Sequence, residues 1–342
     1  MFNKNLKYYR LKANLTKKAL ASLVDVTPMA ITNYENGDRR PDMATIKKLA
    51  KALGVRTTDF LAVRNTNLAF AHGEFRKNAK MSQEQQEYVR EAVEEYFSRS
   101  YEAVELLGGE VLPEAPVLHQ LDLTGDANVD ALSLRRCLGI STYGPVGNLV
   151  ELLENNGILI FMLDIQNEKF NGMNGSVNGR PYIVINKNMT PERIRTTIVH
   201  EIAHFAFRWP EDMDEKQAEK LATAIAGAFL FPKADAIREL GIQRRSITTD
   251  MLMVCKEYGI SMSLLVVRAN KCGIVSDPVY EAYFRRAGRK EGSYLTIVEL
   301  PTLFEQLVYR AVNEDEITIQ KGAELLKMPY DLVAANCCFA EV

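Results

Sequence analysis

No stretch of this 342-residue chain approaches the ~20 consecutive apolar residues of a membrane span, and Met1-Phe2-Asn3-Lys4 lacks the apolar core of a signal peptide. The expectation is a cytoplasmic protein with no membrane partner. Cysteine is scarce. The five residues Cys137, Cys255, Cys272, Cys337 and Cys338 are odd in number and include no Cys-x-x-Cys pair, which argues against a disulfide framework and a cysteine zinc knuckle. Reduced, mostly buried thiols are expected. The sequence shows neither an internal repeat nor a low-complexity tract. Histidine is rarer still, with four in the chain, and two of these, His200 and His204, lie one helical turn apart.

What is present is a globular mixture, 47% apolar and 25% charged, in a chain longer than one ordinary core requires, so two or three domains are expected. The net charge of −2 hides an uneven distribution. Residues 1–60 carry 12 Lys+Arg against 5 Asp+Glu, a net +7, and the remainder carries −9. A small basic head on an acidic body fits contact with a polyanion through the head alone.

The head reads as five short helices. Thr16 caps a helix through Leu23, Asp25-Val26 turns, and Thr27-Pro28 opens a helix through Glu35 that Asn36-Gly37-Asp38 stops. Pro41-Asp42 starts Met43 to Leu53, with Gly54 as its stop and Val55 to Leu61 as the last short helix. Two short helices with a tight turn place the second in a major groove. Leu20, Leu23, Val26, Ile31, Ile46, Leu49 and Leu53 are the expected core. Thr27, Met29, Thr32 and Asn33 are the groove-facing candidates, with Lys17, Lys18, Arg39 and Arg40 as phosphate contacts. Ala19-Leu20-Ala21, Val26-Thr27, Ile31 to Gly37, Arg40-Pro41 and Leu49 to Gly54 resemble the λ-repressor/Cro-like (XRE) family of helix-turn-helix regulators. The resemblance implies a five-helix domain that binds duplex operator DNA, here as a homodimer. It departs at Lys17 or Lys18, where the family often has glutamine.

Arg64 to Lys80 loses periodicity and is expected to be a mobile connector open to proteolysis. Ser82 to Leu107 reads as an acidic helix with a Ser82/Gln85 capping pattern, and is the candidate dimer contact. A loop follows, then helices around Ala131 to Leu138 and Val146 to Asn155, strands at Ile158 to Leu163 and Tyr182 to Ile185, and helices thereafter. Thr190-Pro191 opens the helix that carries His200-Glu201-Ile202-Ala203-His204. On such a helix both imidazoles reach one zinc ion, and Glu201 stands beside it as general base. Asp212, Asp214, Glu215 and Glu219 are candidates for a third ligand. Glu219 is preferred, because it shares a face with Ala222 and Ala226, small residues that let two helices approach. The strand Tyr182 to Ile185, if it lies at an edge, could hold an extended substrate. Tyr143, Tyr182 and Arg193 are candidate oxyanion stabilisers, and His72 and His119 read as surface residues in connectors.

From Ala131 to about Val279 the chain resembles the ImmA/IrrE metallopeptidases, through Leu134-Arg135-Arg136, Asn148-Leu149-Val150, Pro181 to Asn186, Thr196 to His204, Glu219-x-x-Ala222, Phe229 to Pro232, Tyr258 to Ser261 and Ile274 to Asp277. Thr223 stands where that family usually has asparagine. The resemblance implies a gluzincin-like set of two His and one Glu around zinc, and cleavage of a DNA-binding repressor as the task. The expected fold is mainly α with a small β-sheet (α+β). The expected parts are a helix-turn-helix domain at residues 1–63, connector and acidic helix at 64–128, a zinc metallopeptidase domain at 129–290 and a C-terminal helical segment at 291–342. The expected function is a DNA-binding transcriptional regulator with a zinc-dependent endopeptidase domain that cleaves a partner repressor, or the chain's own linker. The alternative is an antitoxin- or phage-type repressor whose zinc domain senses and does not cut.

Overall fold

The computed structural model describes residues 1–73, 81–287, 293–295 and 298–337. The elements, in chain order, are α1 (Phe2–Lys12), α2 (Lys17–Leu23), α3 (Pro28–Asn36), α4 (Met43–Leu53), a 3-10 turn (Thr57–Leu61), β1 (Phe70–His72), α5 (Gln83–Leu106), β2 (Leu121–Asp122), α6 (Ala127–Cys137) and α7 (Leu149–Asn155). There follow β3 (Leu159–Leu163), β4 (Gly172–Val177), β5 (Arg180–Asn186), α8 (Pro191–Ala206), β6 (Phe207–Arg208), α9 (Glu215–Leu230), α10 (Lys233–Leu240), α11 (Met251–Tyr258), α12 (Met262–Lys271), α13 (Asp277–Ala287), α14 (Leu303–Asn313), α15 (Ile319–Leu326) and α16 (Tyr330–Cys337). The fold is mainly helical with a small mixed sheet. Two compact units emerge. One holds Met1–Phe70, the chain that ends at Val111 and the helices from Phe304 onward; the other holds Ala71 to Gly73 and Leu112–Leu303. The four consecutive parts read from the sequence are thus redistributed over two bodies.

In the first unit, each helix of the head begins and ends where its chemistry directs. Thr16, Thr27 and Asp42 accept the amides of Ala19, Ala30 and Thr45, and Gly37 and Gly54 adopt the left-handed φ that closes α3 and α4. Leu6, Leu20, Ala21, Val24, Ile31, Tyr34, Leu49 and Phe60 form the core, with Val26, Ile46 and Leu53 at its margin. Leu23 departs from expectation. It is 59% exposed, because α2 turns Leu20, Ala21 and Val24 inward. Arg10 and Glu35 form a buried ion pair beneath α3.

The acidic helix α5 starts with the reciprocal Ser82/Gln85 capping box. Its apolar face is covered within the unit. It packs against α1, and Ala103 joins Phe304, Val308 and Leu325 of the C-terminal helices. Glu87, Glu91 and Glu94 meet Lys4 and Lys7 of α1. The connector is also more ordered than its composition suggests. Arg64 is buried and donates to Asn5 Oδ1, Glu91 and the Lys4 carbonyl, and the Asn65 amide donates to the Ser98 hydroxyl. The expected mobility is thus corrected up to Gly73; residues 74–80 lie outside the described residues.

In the second unit the sheet order is β1-β4-β5-β3, with β3 parallel and β4 antiparallel to β5. A two-stranded parallel pair, β2 with β6, lies apart from it. β5 is buried along nearly its whole length and has a neighbour on each side, so Tyr182 to Ile185 is a core strand and not a substrate edge. Helices α8 and α9 bury Ile194, Ile198, Ile202, Ala222, Ala226 and Phe229 in one core with β5. The start of the segment expected to be C-terminal, at residues 293–295 and 302–303, is held by this unit. Glu192 accepts the Ser293 hydroxyl and the amides of Tyr294 and Leu295, and Glu154 accepts the amides of Thr302 and Leu303. Of the described cysteines only Cys255 is buried, and Cys137 is exposed.

Candidate functional site

Pro191 in the first turn and an apolar stripe of Ile194, Ile198 and Ile202 fix α8 against the sheet, which leaves His200 and His204 on the face toward α9. The fully buried Ala222 and Ala226 let α9 approach closely. The end of α9 is held by buried arginines: Arg135 donates to the Phe229 carbonyl, and Arg268 Nε to the Phe231 carbonyl at 3.0 Å. These satisfy carbonyls that a helix C-terminus leaves without intrahelical partners. The register of α9 then brings Glu219 to the histidines. His204 Nε2 lies 3.1 Å from Glu219 Oε1 and 3.1 Å from His200 Nε2, and His200 Nε2 lies 3.5 Å from Glu219 Oε2.

Those separations match the edges of a tetrahedron. Ligands at about 2.0–2.1 Å from a zinc ion lie roughly 3.3 Å from one another. Among the described residues, His200, His204 and Glu219 are the group of His, Cys, Asp or Glu whose donor atoms converge in this way; Asp212, Asp214 and Glu215 do not join it. His204 and Glu219 keep 22% and 26% of their side-chain surface exposed, which leaves the trio an open side. The donor set and its spacing fit zinc.

Around the trio the structure adds residues that the sequence did not single out as functional. The Thr223 hydroxyl donates to the Glu219 carbonyl at 2.8 Å and lies 3.2 Å from His200 Nδ1. With its hydrogen committed to that carbonyl, the oxygen accepts from Nδ1–H, so Nε2 carries the lone pair. The position four residues after Glu219 was the available signal, since it shares a helix face with the ligand. Asn174 of β4 donates its side-chain amide to Glu201 Oε2 at 2.9 Å, and Glu201 is buried, with 3% of its surface exposed. No local pattern announces Asn174. Trp209 lies against the His204 ring, 5.4 Å between centroids, and donates to the Ala203 carbonyl.

The candidate oxyanion groups make other contacts. The Tyr182 hydroxyl meets His72 Nδ1 at 2.6 Å, Arg193 donates to Asn171 and Tyr143 is 65% exposed. His72, expected at the surface, is thus held by the sheet, whereas His119 is exposed and its Nδ1 lies 2.9 Å from the Phe207 carbonyl.

In the head, Thr27, Met29, Lys18, Arg39 and Arg40 are exposed and Thr32 and Asn33 are half-buried along α3. Thr27 spends its hydroxyl on the α3 cap, and the Thr32 hydroxyl donates to the Pro28 carbonyl at 3.2 Å. Lys17 differs from the others. Its ammonium lies 3.7 Å from Glu35 Oε2, within the domain, so a phosphate would have to draw it from that carboxylate.

Comparison with known proteins identifies two segments. Residues 6–60 match the helix-turn-helix family, and residues 153–270 match the peptidase M78 family through its IrrE N-terminal-like domain. The chain is also 34% identical over 70 residues to an uncharacterised SPbeta prophage-derived HTH-type transcriptional regulator, YonR of Bacillus subtilis (strain 168). That match covers 20% of this chain and 63% of the relative.

Proposed function

We propose that this chain, which joins a helix-turn-helix domain to an IrrE N-terminal-like domain, is a DNA-binding transcriptional regulator that carries a zinc-dependent endopeptidase site. The observation that carries the enzymatic half is the convergence of His200, His204 and Glu219 within 3.5 Å, with Glu201 beside them. Zinc held by that trio would supply Lewis acidity toward water and the peptide carbonyl. Glu201, oriented by Asn174, takes a proton from the attacking water and returns it to the leaving amine. Thr223 keeps His200 in the tautomer that offers Nε2. A sensor that only bound metal would have no use for a buried carboxylate kept off the ligand set, which favours hydrolysis over the sensing alternative. The substrate is a protein, with a partner repressor preferred to the chain's own linker. The head binds duplex operator DNA as part of a homodimer, with half-sites ~34 Å apart or a multiple of that.

The test is metal analysis followed by incubation of the zinc-loaded chain with repressors from its genomic neighbourhood, read by mass spectrometry. One zinc per chain is expected, with marked loss in His204→Ala and Glu219→Ala. Glu201→Gln should keep zinc and fold while its hydrolysis falls by ~10²-fold or more. Full zinc in Glu219→Ala would remove that residue from the site, and unchanged hydrolysis in Glu201→Gln would end the mechanism.

A further inference from the structure

One strand of the sheet, β4, supplies a hydrogen bond to Glu201, and that strand's outer edge is already taken. Asn174 of β4 holds Glu201 through its side chain. On the side of β4 away from β5 lies β1, a strand from the segment that follows the head. The Gly73 amide donates to the Asn174 carbonyl at 2.9 Å, so the chain's own backbone bonds to the very residue that orients the candidate general base.

Strand alternation assigns the faces. Successive residues point to opposite sides of a sheet. Asn174 points toward Glu201, so Gly175 and Tyr182, its partner in the register, belong to the far face. There His72 meets the Tyr182 hydroxyl at 2.6 Å, and Gly175 leaves room for that ring. Gly73, one residue on, falls on the Asn174 side. A Cβ at Gly73 would collide with the Asn174 carbonyl, and a Cβ at Gly175 would come within 2.8 Å of the Ala71 carbonyl. Both glycines are therefore required for this close approach. The segment is fastened on the back of the sheet by a histidine and presents nothing larger than the Ala71 methyl on the Asn174 side.

We propose that the outer edge of β4 is the docking edge for an extended peptide substrate, and that the internal segment Ala71 to Gly73, the end of β1 and the residue after it, occupies it. The inference rests on the peptidase reading of the site and deepens it. Extended peptides bind by adding a strand to a sheet edge, through main-chain hydrogen bonds. β5 is interior and cannot serve, and β3 lies at the other end of the sheet order. Substrate entry thus requires β1 to leave. The occupant is short and tethered, and a tether of this kind gives an effective concentration on the order of millimolar. Such a strand closes the edge to weak peptides and yields to one that pairs over a longer stretch.

The test uses the full zinc-loaded chain, Gly73→Val, Gly73→Val with Glu201→Gln, and His72→Ala as a second route to release without a collision. Deuterium exchange is read over residues 172–177, with and without a millimolar synthetic peptide of residues 67–73. Hydrolysis of unfolded casein is measured in parallel. The β4 amides should exchange at least tenfold faster in Gly73→Val and in His72→Ala, and the peptide should restore their protection. Casein hydrolysis should rise at least tenfold in Gly73→Val and vanish when Glu201→Gln is added. Restored protection with no hydrolysis by any variant would support the docking edge and end the peptidase reading. Exchange alike in parent and both variants, failure of the peptide to protect, or parent hydrolysis that release does not raise would overturn the proposal.

Discussion

Thr223 makes two contacts with one hydroxyl, one to the Glu219 carbonyl and one to His200 Nδ1. A valine there keeps the shape and removes both. The imidazole then loses the acceptor that fixes its tautomer, so part of the population places its proton on Nε2, where it cannot bind a cation. Loss of such an outer partner typically lowers metal affinity 10- to 100-fold. Thr223→Val is therefore expected to weaken zinc binding by about that factor in a chelator competition, with an unchanged melting curve at saturating zinc. Affinity equal to the parent's would show that the hydroxyl does not orient His200. A Thr223→Ser variant, which keeps the oxygen, should recover most of the loss.

At the scale of elements, α5 owes its position to charge as well as packing. Burial alone would raise Glu95, but Arg99 and Lys327 lie against its carboxylate, and together they hold it down to about 2 from an ordinary 4.5. Burial also lowers Lys327 although Glu95 opposes this, so the pH sensitivity of the cluster is assigned to the carboxylate, which faces two cations. A depressed carboxylate contributes stability that is complete above its unfolded value and is lost as pH falls through the folded one. The window here runs from about pH 4.5 down to about 2, and the contribution is on the order of 3 kcal/mol at most. Hydrogen exchange of α5 in the parent should rise through that window, and in Glu95→Gln it should lose most of this dependence. A slope that survives the substitution would assign the acid sensitivity elsewhere. Elements with local signals were legible in advance. Ser82 with Gln85 and Thr27 with Pro28 marked helix starts through their caps, and Pro191 marked one through its fixed φ, because these signals are local chemistry. His200, Glu201 and His204 were legible because one helix carries them. β4 was not, since Gly172-Met173-Asn174-Gly175-Ser176-Val177 shows no clear apolar alternation and is a strand only through β5 beside it. The same holds for β1, whose place is set by a partner a hundred residues away. Leu23 was misread because heptad-like spacing does not reveal how α2 rolls onto α3.

Across the whole molecule, the charge division predicts which surface meets a polyanion. The +7 of residues 1–60 is partly neutralised where α1 faces α5, through Lys4 and Lys7. Lys17 is also engaged, by Glu35. Lys18, Arg39 and Arg40 are exposed near α3 and are the cations expected to meet phosphates there. Each phosphate that a cation neutralises contributes about 0.9 to the slope of log affinity against log salt, because a condensed counterion is released. Arg39→Ala with Arg40→Ala should thus reduce that slope by roughly 2 per bound chain and weaken binding to all sequences alike. Met29→Ala should behave differently. Met29 is 67% exposed on the second helix of the motif, and carries no charge, so its loss should leave the salt slope intact and alter the preference among base sequences. Lys17→Ala separates two roles for that residue. If the ammonium stays with Glu35, the salt slope is unchanged and the head loses a little stability; if DNA draws it away, the slope falls by about 1. Titrations of the full chain against a selected operator from 50 to 200 mM salt distinguish these outcomes. An Arg39/Arg40 double variant whose slope equals the parent's would remove this face from the DNA contact.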